Sequence, residues 1–137
     1  MSTLETAEQF FKACETGEGW AGCQHFCTAD ATFTAQGPVL ADVTSLSAYA
    51  EWMKGLLVSI PDGAYDLKFF AEDQVRGRVV AVAQFTGTQS GPGPVDPPTG
   101  NSVAADYAYA MEFSGDKISH MTKIWNDGDA VAQLGWG

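Results

Sequence analysis

The chain has 137 residues, of which 45% are hydrophobic and 18% are charged. This length suits one domain, and the apolar fraction is large enough to form a core. The formal net charge is −10, and such an acidic surface repels both a phosphate backbone and an anionic membrane. We therefore expect one domain over residues 1–137 that binds neither nucleic acid nor a membrane.

The N-terminus shows no signal peptide, and no segment approaches the ~20 apolar residues of a membrane helix. The three cysteines, Cys14, Cys23 and Cys27, are odd in number and crowd one end, which favours a reducing compartment and a cytoplasmic location. A metal site at Cys23, His25 and Cys27 is disfavoured, because on a helix His25 would point away from the two cysteines. We expect buried structural cysteines and no bound metal.

Helical spacing of apolar residues dominates the first half of the chain. It predicts a helix over residues 2–15, where Ser2 and Glu5 have capping-box spacing. A short helix is predicted from Trp20 to Cys27, and a longer one from about Ser45 to Ile60 before a Pro-Asp-Gly stop.

The apolar period then changes from helical to two, which predicts strands. The predicted strands are Ala31–Ala35, Tyr65–Glu72, Val79–Thr88, Asn101–Phe113 and Lys117–Asn126. The segment from Val79 to Phe85 is almost continuously apolar, so both faces of that strand should be covered. Asp127 has the character of a cap for a last short helix.

Helices first and meandering strands later indicate an α+β fold. A long, twisted, mostly antiparallel sheet curves around helices that pack on one of its faces. We therefore expect a cone-like domain with a concave pocket between the sheet and the N-terminal helices, suited to a small apolar ligand.

Short motifs in the second half resemble those of the SnoaL-like polyketide cyclases, a family of the nuclear-transport-factor-two-like superfamily. The motifs are Ile60–Tyr65, Phe85–Thr88, Pro98–Gly100, Lys117–Ile118 and Gln133–Gly135. Together they span residues 60–135 in the family's order. Such a resemblance is more specific for the fold than for an activity.

The resemblance implies a homodimer formed through the outer face of a curved sheet. It also implies a pocket carboxylate that moves protons on carbon next to a carbonyl, without metal or cofactor. The family commonly has an aspartate near the end of the last strand, where this sequence has Asn126 followed by Asp127. The family's aromatic-rich motif before it is replaced here by His120-Met121-Thr122.

Asp106 is the first candidate for the base, because it is a lone carboxylate in a strand almost free of charge. Partial desolvation would raise its pKa toward neutrality, as general-base catalysis requires. The alternative is an outward-facing aspartate, or one paired with Lys123 across the hairpin.

Asp127 is the second candidate, with the alternative that it only caps the last helix. Asn126 could donate a hydrogen bond to a substrate carbonyl, or it could brace the turn.

Several aromatic side chains could line the pocket, or could equally belong to the core or to a dimer face. They are Phe33, Trp52, Tyr107, Tyr109 and Trp125. Strand alternation puts Tyr107 and Tyr109 on one face and Asp106 on the other. His120 could also face the pocket, although a single histidine there suits the surface.

Two functions follow. The first is a cofactor-independent lyase or isomerase that uses a pocket aspartate on a carbonyl compound. The second is a non-catalytic ligand-binding or dimerisation module of the same fold. The scarcity of polar residues in the predicted pocket favours the second, and the isolated carboxylate favours the first.

Overall fold

One open, mixed sheet of five strands is packed against helices on its inner face. The structure, a computed structural model, describes residues 1–137. The elements in chain order are α1 (Thr3–Glu15), α2 (Gly19–Cys23), a 3₁₀ turn (Gln24–Phe26), β1 (Cys27–Ala35), α3 (Leu46–Ser59), β2 (Ala64–Asp73), β3 (Arg78–Thr88), β4 (Ser102–Ser114), β5 (Lys117–Trp125) and α4 (Asp127–Leu134). The predicted α+β class is confirmed.

The strands lie in the order β1-β5-β4-β3-β2. β1 runs parallel to β5, and the other three pairings are antiparallel. None of the helices combines the length and apolarity needed to cross a membrane.

The two long helices begin at serine caps. The Ser2 hydroxyl accepts a hydrogen bond from the Glu5 amide at 3.1 Å, and the Ser45 hydroxyl accepts one from the Ala48 amide, also at 3.1 Å. Each cap satisfies an amide that has no partner within the helix, which is worth about 1 kcal/mol. The predicted positions of both helices are therefore confirmed to within one residue.

Alternation along β4 and β5 divides their residues between a buried inner face and an outer face. Tyr107 pairs with Trp125 and Tyr109 pairs with Lys123, all pointing inward. Asp106 lies on the face opposite Tyr107 and Tyr109, as the period of two predicts, but this is the outer face and not the pocket face expected for a base. This register brings Lys123 into the interior.

The start of β1 differs from the prediction. The strand begins at Cys27 instead of Ala31, and the preceding helix ends at Cys23. The pairing of β1 with β5 shifts register between Cys27 and Thr32, so this half of the strand lacks the regular alternation from which strands are predicted. All three cysteines are buried and unbridged.

The prediction that both faces of β3 are covered is wrong for this chain. Val79, Ala81 and Ala83 are buried under the helices, but Val80 and Val82 are only half-buried on the outer face. No helix covers that side of the sheet.

Candidate functional site

A narrow cavity lies between the inner face of the sheet, α3 and α4. Its volume is about 50 Å³, and 14 of its 16 lining residues are hydrophobic. The two exceptions are Glu15 and Lys123. A concave, mostly apolar space with a few convergent polar groups is the usual form of a small-molecule site.

Glu15 is the last residue of α1 and is only 4% exposed. Tyr107 donates a hydrogen bond to one carboxylate oxygen, Oε1, and Tyr109 donates one to the other, Oε2. Burial raises the pKa of the Glu15 carboxyl, while the charge of Lys123 and the two tyrosine bonds act in the opposite direction. The result is an acid whose proton is held more tightly than usual, inside an apolar space.

Lys123 projects from β5 into the same space and is 6% exposed. Its Nζ lies 4.0 Å from the centre of the Trp125 ring and 5.2 Å from that of Trp52. It donates no hydrogen bond to another protein group, and it takes part in none of the three ion pairs, which all lie on the surface. Burial lowers the pKa of Lys123 to about 8, against the attraction of the Glu15 carboxylate.

A third tyrosine extends this polar cluster away from the cavity. The hydroxyls of Tyr49 and Tyr109 lie 2.7 Å apart, and the Tyr49 ring stacks on Phe33 with centroids 4.5 Å apart. Burial raises the pKa of Tyr49, Tyr107 and Tyr109. All three phenols therefore stay protonated at neutral pH and act as donors.

The indole N–H of Trp125 is buried and finds no acceptor among the protein groups. Such an unpaired donor is uncommon in folded proteins, because leaving it without a partner is unfavourable.

The mouth of the cavity opens between α3 and α4. A shallower surface groove shares Trp52, Leu56 and Trp136 with the cavity and extends to Pro94. The indole of Trp136 is fixed by a 3.0 Å hydrogen bond to Oε1 of the buried Gln89. Small molecules would reach Glu15 and Lys123 along this groove.

The sequence profile of the family described as SnoaL-like polyketide cyclase matches residues 5–134. The chain belongs to this family. No curated protein matches the sequence.

Solved structures agree with this SnoaL-like fold. A protein assigned as a SnoaL-like polyketide cyclase from Jannaschia sp. CCS1 superposes with a TM-score of 0.78 at 16% identity, over 98% of this chain and 92% of that one. IdmH from Streptomyces antibioticus, assigned as a polyketide cyclase, gives 0.75 at 16% identity, over 98% and 99%. AclR from Streptomyces galilaeus, assigned as a hydroxylase, gives 0.77 at 18% identity, over 97% and 80%. Neighbours assigned to different activities share the fold, so the fold alone does not fix the reaction.

The structure of this SnoaL-like chain places Asp106 outside the cavity. The carboxylate is exposed on the outer face, where Gln84 donates a long 3.4 Å hydrogen bond to it. The alternative pairing with Lys123 is wrong, because Lys123 lies on the inner face opposite Tyr109.

Asp127 and Asn126 hold the start of α4. Asn126, not Asp127, is the helix cap, since its side chain accepts from the Asp129 amide at 3.0 Å. Asp127 is buried and accepts from the Val39 amide at 3.0 Å. Neither residue lines the cavity, but Val39 does, so Asp127 fixes a loop that forms part of its wall.

Of the predicted pocket residues, Trp52, Tyr107 and Trp125 line the cavity. Tyr109 and Phe33 lie one layer deeper in the core. His120 lies on the outer face, where its Nδ1 is 2.7 Å from the hydroxyl of Thr32.

Glu15 and Lys123 were not predicted as site residues, although the sequence carries a signal for each. Glu15 follows Phe11 by four residues, on the apolar face of α1. Lys123 alternates with Met121 and Trp125, both of which point inward. In both Glu15 and Lys123, the signal is a charged residue at a core position of an otherwise apolar pattern.

Proposed function

We propose that this SnoaL-like protein is a cofactor-independent lyase or isomerase that moves a proton on carbon next to a carbonyl group. The observation that carries the proposal is a single buried carboxylate, Glu15, in the wall of a cavity whose other lining residues are all hydrophobic except Lys123. Its raised pKa brings the carboxyl closer to the range in which a general base works at neutral pH. Glu15 thus takes the role for which an aspartate was expected.

The carboxylate of Glu15 retains the capacity to accept a proton. Tyr107 and Tyr109 each use one lone pair on separate oxygens, and each carboxylate oxygen has a second lone pair. The tyrosines also fix the orientation of the carboxylate, which keeps it aimed without reorganisation during the reaction.

Lys123 supplies the opposite charge. Removing a proton next to a carbonyl places negative charge on the carbonyl oxygen, and a cation in a water-poor cavity stabilises that charge strongly. Because the Nζ of Lys123 has no protein partner, the substrate oxygen can take that position. The substrate class is therefore a small, mostly apolar carbonyl compound.

A non-catalytic ligand-binding protein is the second candidate. It is favoured by the same hydrogen bonds, since a carboxylate held by two tyrosines is also a stable structural cluster. The two functions differ in whether Glu15 exchanges protons with a bound ligand.

Hydrogen–deuterium exchange distinguishes them. The probe is acetone, a ketone small enough for a narrow cavity, whose exchange at the carbon next to the carbonyl is followed by proton NMR in D₂O. We expect the wild type to accelerate this exchange above the uncatalysed rate, and Glu15→Gln to lose about 10²-fold or more of that acceleration. Binding of the ketone without acceleration would favour the binding protein.

Asp106→Asn is the matched control, because it makes the same type of change on an exposed carboxylate outside the cavity. We expect it to keep the wild-type exchange rate. A loss in Asp106→Asn with none in Glu15→Gln would overturn the assignment of the base to Glu15.

A further inference from the structure

We propose that Lys123 is a reactive amine, whose Nζ adds to the carbonyl carbon of an aldehyde or ketone in the cavity and forms an imine. This goes beyond the proposed function, since imine formation requires no proton transfer at the neighbouring carbon. It rests on the position and surroundings of one side chain.

The first support is that Lys123 has no competing partner. The Nζ faces four aromatic rings, at 4.0 Å from Trp125, 5.2 Å from Trp52 and Tyr49, and 5.4 Å from Tyr107. Neither a hydrogen bond nor an ion pair occupies it. A lysine that is nine-tenths buried without a partner is rare, and in this chain it lines a cavity.

The other four lysines differ from Lys123 in burial and in position. They are all exposed: Lys12, Lys54, Lys68 and Lys117. Lys68 pairs with Asp66 at 2.7 Å, and Lys117 donates to the backbone carbonyl of His25. None of them lines the cavity, so these four lysines serve as internal controls for the reactivity of Lys123.

The second support is the charge around the amine. Titratable groups face it from α1 (Cys14 and Glu15), from α3 (Tyr49) and from β4 (Tyr107 and Tyr109). The pKa of Cys14 is raised, first by its hydrogen bond with Cys23, and burial raises that of each tyrosine. Among these titratable neighbours Glu15, and after it Cys14, favour the ammonium form, and burial outweighs both.

The chemistry balances with these groups alone. The Nζ lone pair forms a bond to the carbonyl carbon, and the carbonyl oxygen takes up a proton to give a carbinolamine. The nitrogen loses one proton to leave the carbinolamine neutral, the hydroxyl group takes a proton and leaves as water, and the resulting iminium ion loses its N–H proton to give the imine. The Glu15 carboxyl in the same cavity can give and accept these protons, and desolvated lysines are known to act in this way.

Reductive trapping with benzaldehyde and sodium cyanoborohydride at pH 7.5 tests the inference. Peptide mapping by mass spectrometry gives the initial rate at which each lysine acquires a benzyl group. The α-amino group is scored separately, because its ordinary pKa is near 8. A pKa of about 8 against an ordinary 10.5 gives Lys123 a free-amine fraction roughly a hundredfold larger than that of a surface lysine. We expect labelling at Lys123 at least tenfold faster than at each of the other four.

Formaldehyde is the second probe, because it is small enough to enter a narrow mouth. Labelling of Lys123 no faster than that of Lys12 and Lys54 with both aldehydes overturns the inference. The comparison is made within the wild-type protein, so it does not depend on a variant that folds.

A variant separates this inference from the proposed function. Lys123→Met, with its fold checked by circular dichroism, should lose the fast site and leave the other lysines at their wild-type rates. Loss of ketone exchange in Glu15→Gln, with Lys123 unlabelled in the wild type, would overturn the imine and leave the proposed function standing. Fast labelling of Lys123 with no ketone exchange in the wild type would overturn the proposed function and leave the imine standing.

Discussion

Tyr107 donates a hydrogen bond to the carboxylate of Glu15, and its ring lies 5.4 Å below the Nζ of Lys123. One side chain therefore contacts both charged groups of the cavity. Glu15 is the last residue of the first helix and Lys123 lies on the last strand, so the two side chains line the same cavity only in the folded chain. A change at Tyr107 should alter how easily each of them ionises.

Replacing Tyr107 by phenylalanine should move the acid side of the pH profile of ketone exchange to higher pH. The tyrosine bond stabilises the ionised carboxylate and so lowers the pKa of Glu15. Without that bond the pKa rises, and a higher pH is needed to ionise the base. A hydrogen bond to a charged group is worth roughly 1.5–3 kcal/mol, which corresponds to a displacement of about one pH unit or more.

Tyr65→Phe is the control for this change. Tyr65 also packs against Phe11, with ring centroids 5.0 Å apart, but it makes no hydrogen bond to Glu15. Its replacement should leave the profile in place. If the acid side of the pH profile stays in place in Tyr107→Phe, the tyrosine bond does not set the pKa of Glu15.

Much of the fold follows from local patterns in the sequence. Ser2 and Ser45 cap helices in which apolar residues recur with the helical period, and both helices were predicted to within a residue. The antiparallel strands β2 to β5 follow from alternation, with short turns between β2 and β3 and between β4 and β5. The parallel pairing of β1 with β5 could not be predicted, because it joins residues about ninety positions apart and leaves no local trace.

The site was harder to predict than the fold. Strand alternation correctly separates Tyr107 and Tyr109 from Asp106, but the candidates for the base that the sequence suggests are aspartates of the second half. Glu15 reaches the cavity only because α1 packs inside the curve of the sheet, which depends on tertiary structure. The family resemblance pointed to the last strand and the start of α4, where Asn126 and Asp127 instead brace a loop.

Asp127→Ala should destabilise the protein, whereas Asp127→Asn should be close to neutral. The carboxylate accepts from the Val39 amide at 3.0 Å in a buried position. Alanine leaves that amide without a partner, which costs about 1–3 kcal/mol, while asparagine keeps an acceptor oxygen. Urea unfolding measures the difference, and both variants should retain ketone exchange per folded molecule. Loss of exchange in a fully stable Asp127→Asn variant would instead assign the base to Asp127.

The contribution of Lys123 to stability should depend on pH in a defined direction. Its pKa is about 8 in the folded protein, against an ordinary value of 10.5. Between these values the unfolded chain binds more protons at this position than the folded one, so stability rises with pH across the interval. The two pKa values differ by the equivalent of about 3 kcal/mol.

Urea unfolding of the wild type and Lys123→Met at several pH values between 7 and 10.5 tests this. We expect the free energy of unfolding of the wild type to rise relative to that of the variant over this range, by up to about 3 kcal/mol. Comparing the two proteins removes the contribution of the tyrosines, which titrate in both. A constant difference would mean that Lys123 titrates like an exposed lysine.

The outer face of the sheet carries an apolar row that crosses four strands, and the family resemblance predicts that a homodimer forms through this face. Ile124 pairs with Ala108, Ala108 with Val82, and Val82 with Phe69. Ile124 is 61% exposed and Phe69 is 52% exposed, and a second copy of the same face would bury both.

We expect the wild type to sediment as a dimer at micromolar concentration, and Ile124→Glu to sediment as a monomer, because it would place two carboxylates in the interface. Val75→Glu, the same type of change at a 92% exposed residue in the turn after β2, should remain dimeric. A wild type that is monomeric at this concentration would mean that the apolar row stays exposed to water.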